Sequence, residues 1–200
     1  MSAPARIGLL GGSFNPVHLG HLIMAENARD QLDLDQVVFV PAGRPPHKQG
    51  QHLASVEDRV AMVRLAIAGH DAFVVSDLDI DHREPSFTWR LLERFHDRHP
   101  AADLWFIMGG DSLHDFPTWS RPERILKLAR LAVVERPGSA FRDDSLNAIA
   151  GLRDRLDMVE APLCSISSTD IRMIVEARAT IRYLVPDAVR AYIRSGGLYR

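Results

Sequence analysis

Two histidines and an arginine offer the most definite chemistry in this sequence. His18 and His21 stand three residues apart in GGSFNPVHLGHL, the stretch from Gly11 to Leu22. On the first turn of a helix that spacing puts both rings on one face, and Gly20 leaves room between them. A helix start also leaves main-chain N–H groups without intrahelical partners and carries the positive end of the dipole, a setting that favours an anion such as phosphate. Arg172 lies in ISSTDIR, within one side chain's reach of anything held at a helix start capped by Ser167 or Ser168. Its planar guanidinium binds phosphate oxygens in pairs. Imidazole donors beside a phosphate-cradling turn point to chemistry on a polyphosphate.

Other polar groups have plainer readings. FVVSDLDID is expected to be one strand whose alternation places Asp77, Asp79 and Asp81 on a single face. Period-2 alternation yields such a row on the solvated face of an edge strand, and that reading is preferred to a metal site. The loop AGRPPHKQGQH carries Arg44, His47, Lys48 and His52, a basic segment able either to close over phosphates or to stay in solvent. Cys164 is the single cysteine; it excludes an internal disulfide and fits a reducing compartment. Its apolar neighbours favour burial over a role as nucleophile. Neither G-x-x-x-x-G-K-[ST] nor G-x-G-x-x-G occurs at the first glycines.

These residues need elements to hold them. Ile7–Leu10 reads as a buried strand, the following glycines as a sharp turn that lets the backbone approach a ligand, and LIMAENARDQL as a helix with Leu22, Ala25, Ala28 and Leu32 at helical spacing. Further strands are expected at Val37–Val40, Ala102–Met108, Leu131–Val134 and Met158–Val159. Helices are expected after Ser55, from Trp89 to His99, after Ser120 as N-cap, in part of Ala140–Leu156, after Ser167 or Ser168, and from Pro186. Gly69 marks the end of the helix that follows Ser55. Strands alternating with helices along the chain give an α/β class, a Rossmann-like, doubly wound parallel sheet in one domain spanning 1–200. The first strand then lies centrally at the switch point, with ligand-side loops at Gly11, Pro41, Ser86, Gly109, Glu135 and Ser167.

Composition narrows the function classes. Two hundred residues at 46% hydrophobic content support one sizeable core. A net charge of −2 gives no global attraction to nucleic acid or to an anionic membrane. No apolar run approaches the roughly 18–20 residues of a membrane span. The N-terminus reaches its motif too soon for a signal peptide. A cytoplasmic protein with small-molecule partners is expected, and homo-oligomerisation stays open.

GGSFNPVHLGHL resembles the signature of the nucleotidyltransferase superfamily. With the PPHK of Pro45 to Lys48, PSFT, FIMGGDSL, Trp119, ERPG, ISSTDIR and the closing YLVPDAVRAYI, the chain is similar to bacterial nicotinate-nucleotide adenylyltransferases over nearly its full length. The resemblance implies transfer of AMP from ATP to nicotinate mononucleotide, with Mg²⁺ carried on the phosphates. It implies His18, His21 and Arg172 as catalytic residues. The ATP-binding set would be Gly11, Gly12, Ser13, Phe14, His18, His21, Lys48, Gly109, Ser167, Thr169 and Arg172. The acceptor would meet Phe87, Thr88, Asp111, Trp119 and Arg136, the Trp119 ring stacking on the pyridine. One departure stands out: Arg90 occupies the position where the family carries an acid. Alternatives of other kinds are a transferase using another phosphate acceptor, such as phosphopantetheine, and a nucleotide-binding regulator without catalysis.

Overall fold

Apolar runs such as Val37–Val40 and Leu104–Met108 have no solvated face to offer, so their strands must be covered on both sides. The computed structural model describes residues 3–45, 53–80, 84–135, 149–162 and 164–200. The elements run β1 (Arg6–Gly12), α1 (Leu19–Gln31), β2 (Gln36–Pro41), α2 (Val56–Ile67), β3 (Phe73–Val75), α3 (Thr88–Arg98) and β4 (Asp103–Gly109). They continue through α4 (Gly110–Asp115), α5 (Pro122–Leu128), β5 (Arg130–Glu135), β6 (Leu156–Glu160), α6 (Ser168–Glu176) and α7 (Asp187–Ser195). The six strands form one sheet in the order β3-β2-β1-β4-β5-β6, and every pairing is parallel.

Alternate strand residues feed two separate cores. Leu10, Val37, Phe39, Ile107 and Val134 face Ala25, Ala28, Met62, Val63, Ile171 and Val189 on one side. Leu9, Val38, Val40, Phe106, Met108 and Val133 face Leu91, Leu92, Leu113 and Ile125 on the other. The helices therefore divide between the faces, α1, α2, α6 and α7 against α3, α4 and α5. The chain reverses direction across the sheet between β1 and β4, which opens a crevice at their carboxyl ends. The sheet and the central place of the first strand agree with the expectation from sequence.

Three local readings need correction. Strand β3 stops at Val75, because an edge strand has one neighbour and its register with β2 ends at Phe39 opposite Val75. The chain then turns, with Ile80 N–H donating to the Asp77 carbonyl at 3.1 Å. Asp77 and Asp79 do not form a row: Asp77 is exposed and Asp79 is buried, while Asp81 lies outside the described residues. The N-cap of α5 is Arg121, not Ser120; Pro122 at the first helical position keeps its predecessor out of the helical region, and Arg121 adopts φ 54°. The Ser120 hydroxyl instead accepts from Trp89 Nε1 at 3.2 Å. Of the helix expected within Ala140–Leu156, the described part shows a short 3-10 turn at Arg153–Arg155, and residues 140–148 lie outside the description.

Candidate active site

The crevice is built by the β1–α1 connection. Gly11 and Gly12 do not make the turn: both lie in β1 and pair with Val40 and Pro41 of β2. The turn falls on Phe14, at φ 46°, and Asn15. Phe14 is 1% exposed, and its ring meets the His21 ring edge-on at 5.0 Å. His18 is the N-cap of α1 and His21 its third residue, with ring centroids 3.8 Å apart. The His18 main-chain N–H donates to His21 Nδ1 at 3.2 Å. An accepting Nδ1 carries no proton, so the neutral His21 ring keeps its proton on Nε2. That N–H is the donor the ring can turn toward a ligand.

Two cavities meet at this helix start. The smaller, about 260 Å³, is lined by His18, Gly20, His21, Cys164, Ser167 and Thr169 among others. The larger, about 460 Å³, takes in Gly11, Gly12, Ser13, Thr88, Asp111 and Trp119. His21, Met24, Gly109 and Ser168 belong to both walls, so the shared partition is the place where a group could pass from one chamber's occupant to the other's. Trp119 presents a half-buried ring, set by edge contact with Phe106 at 5.9 Å and by Phe116 at 5.5 Å. Asp111 enters from the first turn of α4, directly after β4. In α6 the cap is Ser167, whose hydroxyl oxygen accepts from Asp170 N–H at 3.1 Å.

The role of Gly20 is steric. A Cβ there would lie 3.0 Å from His18 Nδ1 and 3.3 Å from Cys164 Sγ, and a buried N-cap ring has little space to retreat. Gly20→Ala is expected to lower kcat by about 10-fold or more through a displaced imidazole, with little change in Tm. Steady-state rates beside thermal unfolding decide it; unchanged kcat would show that the ring position is not critical.

Among the described residues, neither chamber's wall includes Phe14, Phe87 or Arg172. Phe14 serves as the packing support of His21. Phe87 is the N-cap of α3 and lies under Arg90 at 5.6 Å. Arg172 turns to the loop, Nη1 donating to the Asn15 carbonyl at 2.9 Å and Nη2 to Thr169 Oγ1 at 3.3 Å. Arg90 pairs with Glu84 at 2.8 Å and is held away from the crevice. Lys48 and Arg136 lie outside the described residues.

Sequence reasoning missed Asn15, Arg59 and Asp79. Arg59 is 1% exposed and, among the described residues, donates to three main-chain carbonyls: Ser13 at 2.7 Å, Ala42 at 2.8 Å and Ala54 at 3.2 Å. A signal existed, since Arg59 falls on the core stripe of α2 beside Val56, Val60 and Val63. Asp79 is 8% exposed and forms part of the larger chamber's wall. Burial raises its carboxyl to about 6, a shift that a Ser86 hydrogen bond and the Arg94 charge only partly offset.

That shift has a signed consequence for stability. Below about pH 3 the carboxyl is neutral in both folded and unfolded chains. As pH rises toward about 6 the unfolded chain ionises first, so stability falls, and above 6 the loss is complete at about 3 kcal/mol. Asp79→Asn should therefore melt higher than the parent at pH 8, and the difference should shrink as pH falls and close below about pH 3. A difference independent of pH would show that Asp79 titrates normally in the fold.

A family model described as cytidylyltransferase-like matches residues 9–174. The chain belongs to that family. It is 48% identical over 200 residues to a probable nicotinate-nucleotide adenylyltransferase of Roseiflexus sp. strain RS-1, covering 100% of this chain and 99% of that one. A protein of the same description from Thermomicrobium roseum is 43% identical over 197 residues, 98% of this chain and 92% of its own. Among solved structures, the family member resembles Plasmodium falciparum nicotinic acid mononucleotide adenylyltransferase complexed with NaAD. That likeness has a TM-score of 0.82 at 20% identity, over 98% and 97% of the two chains, and speaks to the fold. None of the described helices is long and apolar enough to cross a membrane.

Proposed function

We propose that the chain transfers AMP from ATP to nicotinate mononucleotide, giving nicotinate adenine dinucleotide and pyrophosphate in NAD biosynthesis. The observation that carries the reading is the pair of chambers sharing His21 and the start of α1. ATP takes the smaller chamber, its phosphates at His18, His21, Ser167 and Thr169. The acceptor takes the larger one, its pyridine against Trp119 and its phosphate directed to the partition. An oxygen of that phosphate attacks the α-phosphorus in line; the new P–O bond forms as the bond to pyrophosphate breaks, and pyrophosphate leaves with the electron pair. No protein nucleophile is required. The chain supplies alignment and donors for the charge on the phosphoryl oxygens. Arg172 contributes by holding the Asn15 carbonyl, and Lys48 and Arg136 are assigned by family resemblance alone.

The donor set fits a metal that arrives on the triphosphate. Mg²⁺ is ordinarily held by phosphates, water and one or two carboxylates. Asp79 and Asp111 are the carboxylates in the larger chamber's wall that could meet that requirement. When bound, the ion supplies positive charge at the phosphate oxygens. We place the protein in the cytoplasm, as one nucleotidyltransferase domain over 1–200.

Acceptor choice follows from main-chain donors. The Trp119 N–H is already given to the Phe116 carbonyl at 3.0 Å, so we assign the nicotinate carboxylate to the first turn of α3 at Thr88, in the same chamber wall. A site built for such bonds rejects a mismatched analogue. Pyrophosphate release with nicotinate mononucleotide, nicotinamide mononucleotide and phosphopantetheine tests this. Nicotinate mononucleotide should lead by at least about 10-fold in kcat/KM, about 1.4 kcal/mol, and Arg90→Asp should change that ratio by less. Equal use of the two pyridine mononucleotides would overturn the acceptor assignment.

A further inference from the structure

We propose that Tyr199 is a positioning residue for the triphosphate half of the site, acting through Asn15 on Arg172 and on the turn that delivers His18. The inference deepens the functional reading and rests on its assignment of ATP to the His18 chamber. Tyr199 lies far from that turn in sequence, yet its hydroxyl donates to Asn15 Oδ1 at 2.8 Å. The same oxygen accepts from Ala54 N–H at 2.9 Å. Asn15 is 0% exposed, and its own carbonyl accepts from Arg172 Nη1. One buried residue thus receives bonds from the chain's last turn, from the approach to α2 and from α6.

The chain is folded back to make this contact. After α7, Gly196 N–H donates to Tyr192 O at 2.9 Å and Leu198 N–H to Ile193 O at 3.1 Å. Gly197 stands at φ +61° and Tyr199 at φ +64°. A bulky residue in the left-handed region persists only where surrounding contacts hold it. Burial pushes the phenol well above its ordinary value, against the lowering charges of Arg172 and Arg59, so the hydroxyl keeps its proton and serves as a donor. Arg59 pulls the carbonyls of Ser13, Ala42 and Ala54 into the same frame. Tyr192 secures the base of the fold-back through Asp58 Oδ1 at 2.8 Å.

A frame for the phosphate side makes a one-sided prediction. In the full-length protein, Tyr199→Phe should weaken binding of a non-cleavable α,β-methylene ATP analogue, read by calorimetry, and lower kcat/KM for ATP, each about 3–10-fold as for one lost neutral hydrogen bond. The KM for nicotinate mononucleotide should stay within about twofold. On an Asn15→Ala background the Tyr199 change should add less than about twofold, because both act through one contact. Parental analogue binding by Tyr199→Phe would overturn the proposal. So would equal losses for both substrates, or full multiplication of the two effects. If the parent binds the analogue but does not use nicotinate mononucleotide, the acceptor reading fails while the calorimetric comparison still judges Tyr199.

Discussion

His21→Ala is expected to lower kcat by about 10²–10³-fold, the loss seen when one preorganised donor to a developing anion is removed. His21 stands in the wall shared by the two chambers, and its Nδ1 is already taken by the His18 N–H. That bond sets the neutral ring's tautomer, with the proton on Nε2, and the edge contact with Phe14 holds the ring in place. Tm should change little, because one side chain at the third position of α1 is lost without opening the sheet core. His18→Ala should lose turnover on the same scale and also about 1 kcal/mol of stability, since the His18 side chain is buried, at 7% exposure, and its packing is lost. Rates per folded molecule beside thermal unfolding separate the two effects. Activity retained after either change, with a large fall in Tm, would make the histidines structural.

Arg59→Met should destabilise the protein by about 3 kcal/mol or more, the largest stability loss expected at any site-supporting residue. Methionine fills much of the volume but leaves the carbonyls of Ser13, Ala42 and Ala54 without the donors they now have. Burial lowers the Arg59 pKa and the nearby Tyr199 and Glu57 oppose that shift, so the guanidinium stays charged at neutral pH. Chemical denaturation measures the loss, and analogue binding measures the loop. Parental stability would show that water replaces the guanidinium without penalty.

Local pattern carried much of the architecture. β1 and α1 are adjacent in sequence, and their periodicities change from buried run to helical spacing across one turn, so the crevice at His18 and His21 was legible before any tertiary contact. The parallel sheet followed from runs such as Val37–Val40, which have no polar face. β3 was overextended because alternation in DLDID imitates a strand, whereas pairing with β2 ends at Val75. Gly11 and Gly12 drew the expectation of a turn that Phe14 makes instead, since side-chain packing under His21 outweighs residue propensity there. The supports of the site were hidden for a different reason. Tyr199 meets Asn15, and Arg172 meets Asn15, across almost the whole chain, and no local window contains both partners. Arg59 alone left a trace, a charge on the apolar stripe of α2.

Direct transfer between the two chambers is tested most squarely by the stereochemical course at phosphorus. With chirally labelled α-thio ATP and nicotinate mononucleotide, a single in-line displacement predicts a dinucleotide product with inverted configuration, read by phosphorus NMR. Retention would require two displacements and a covalent adenylyl-enzyme, and would contradict the account.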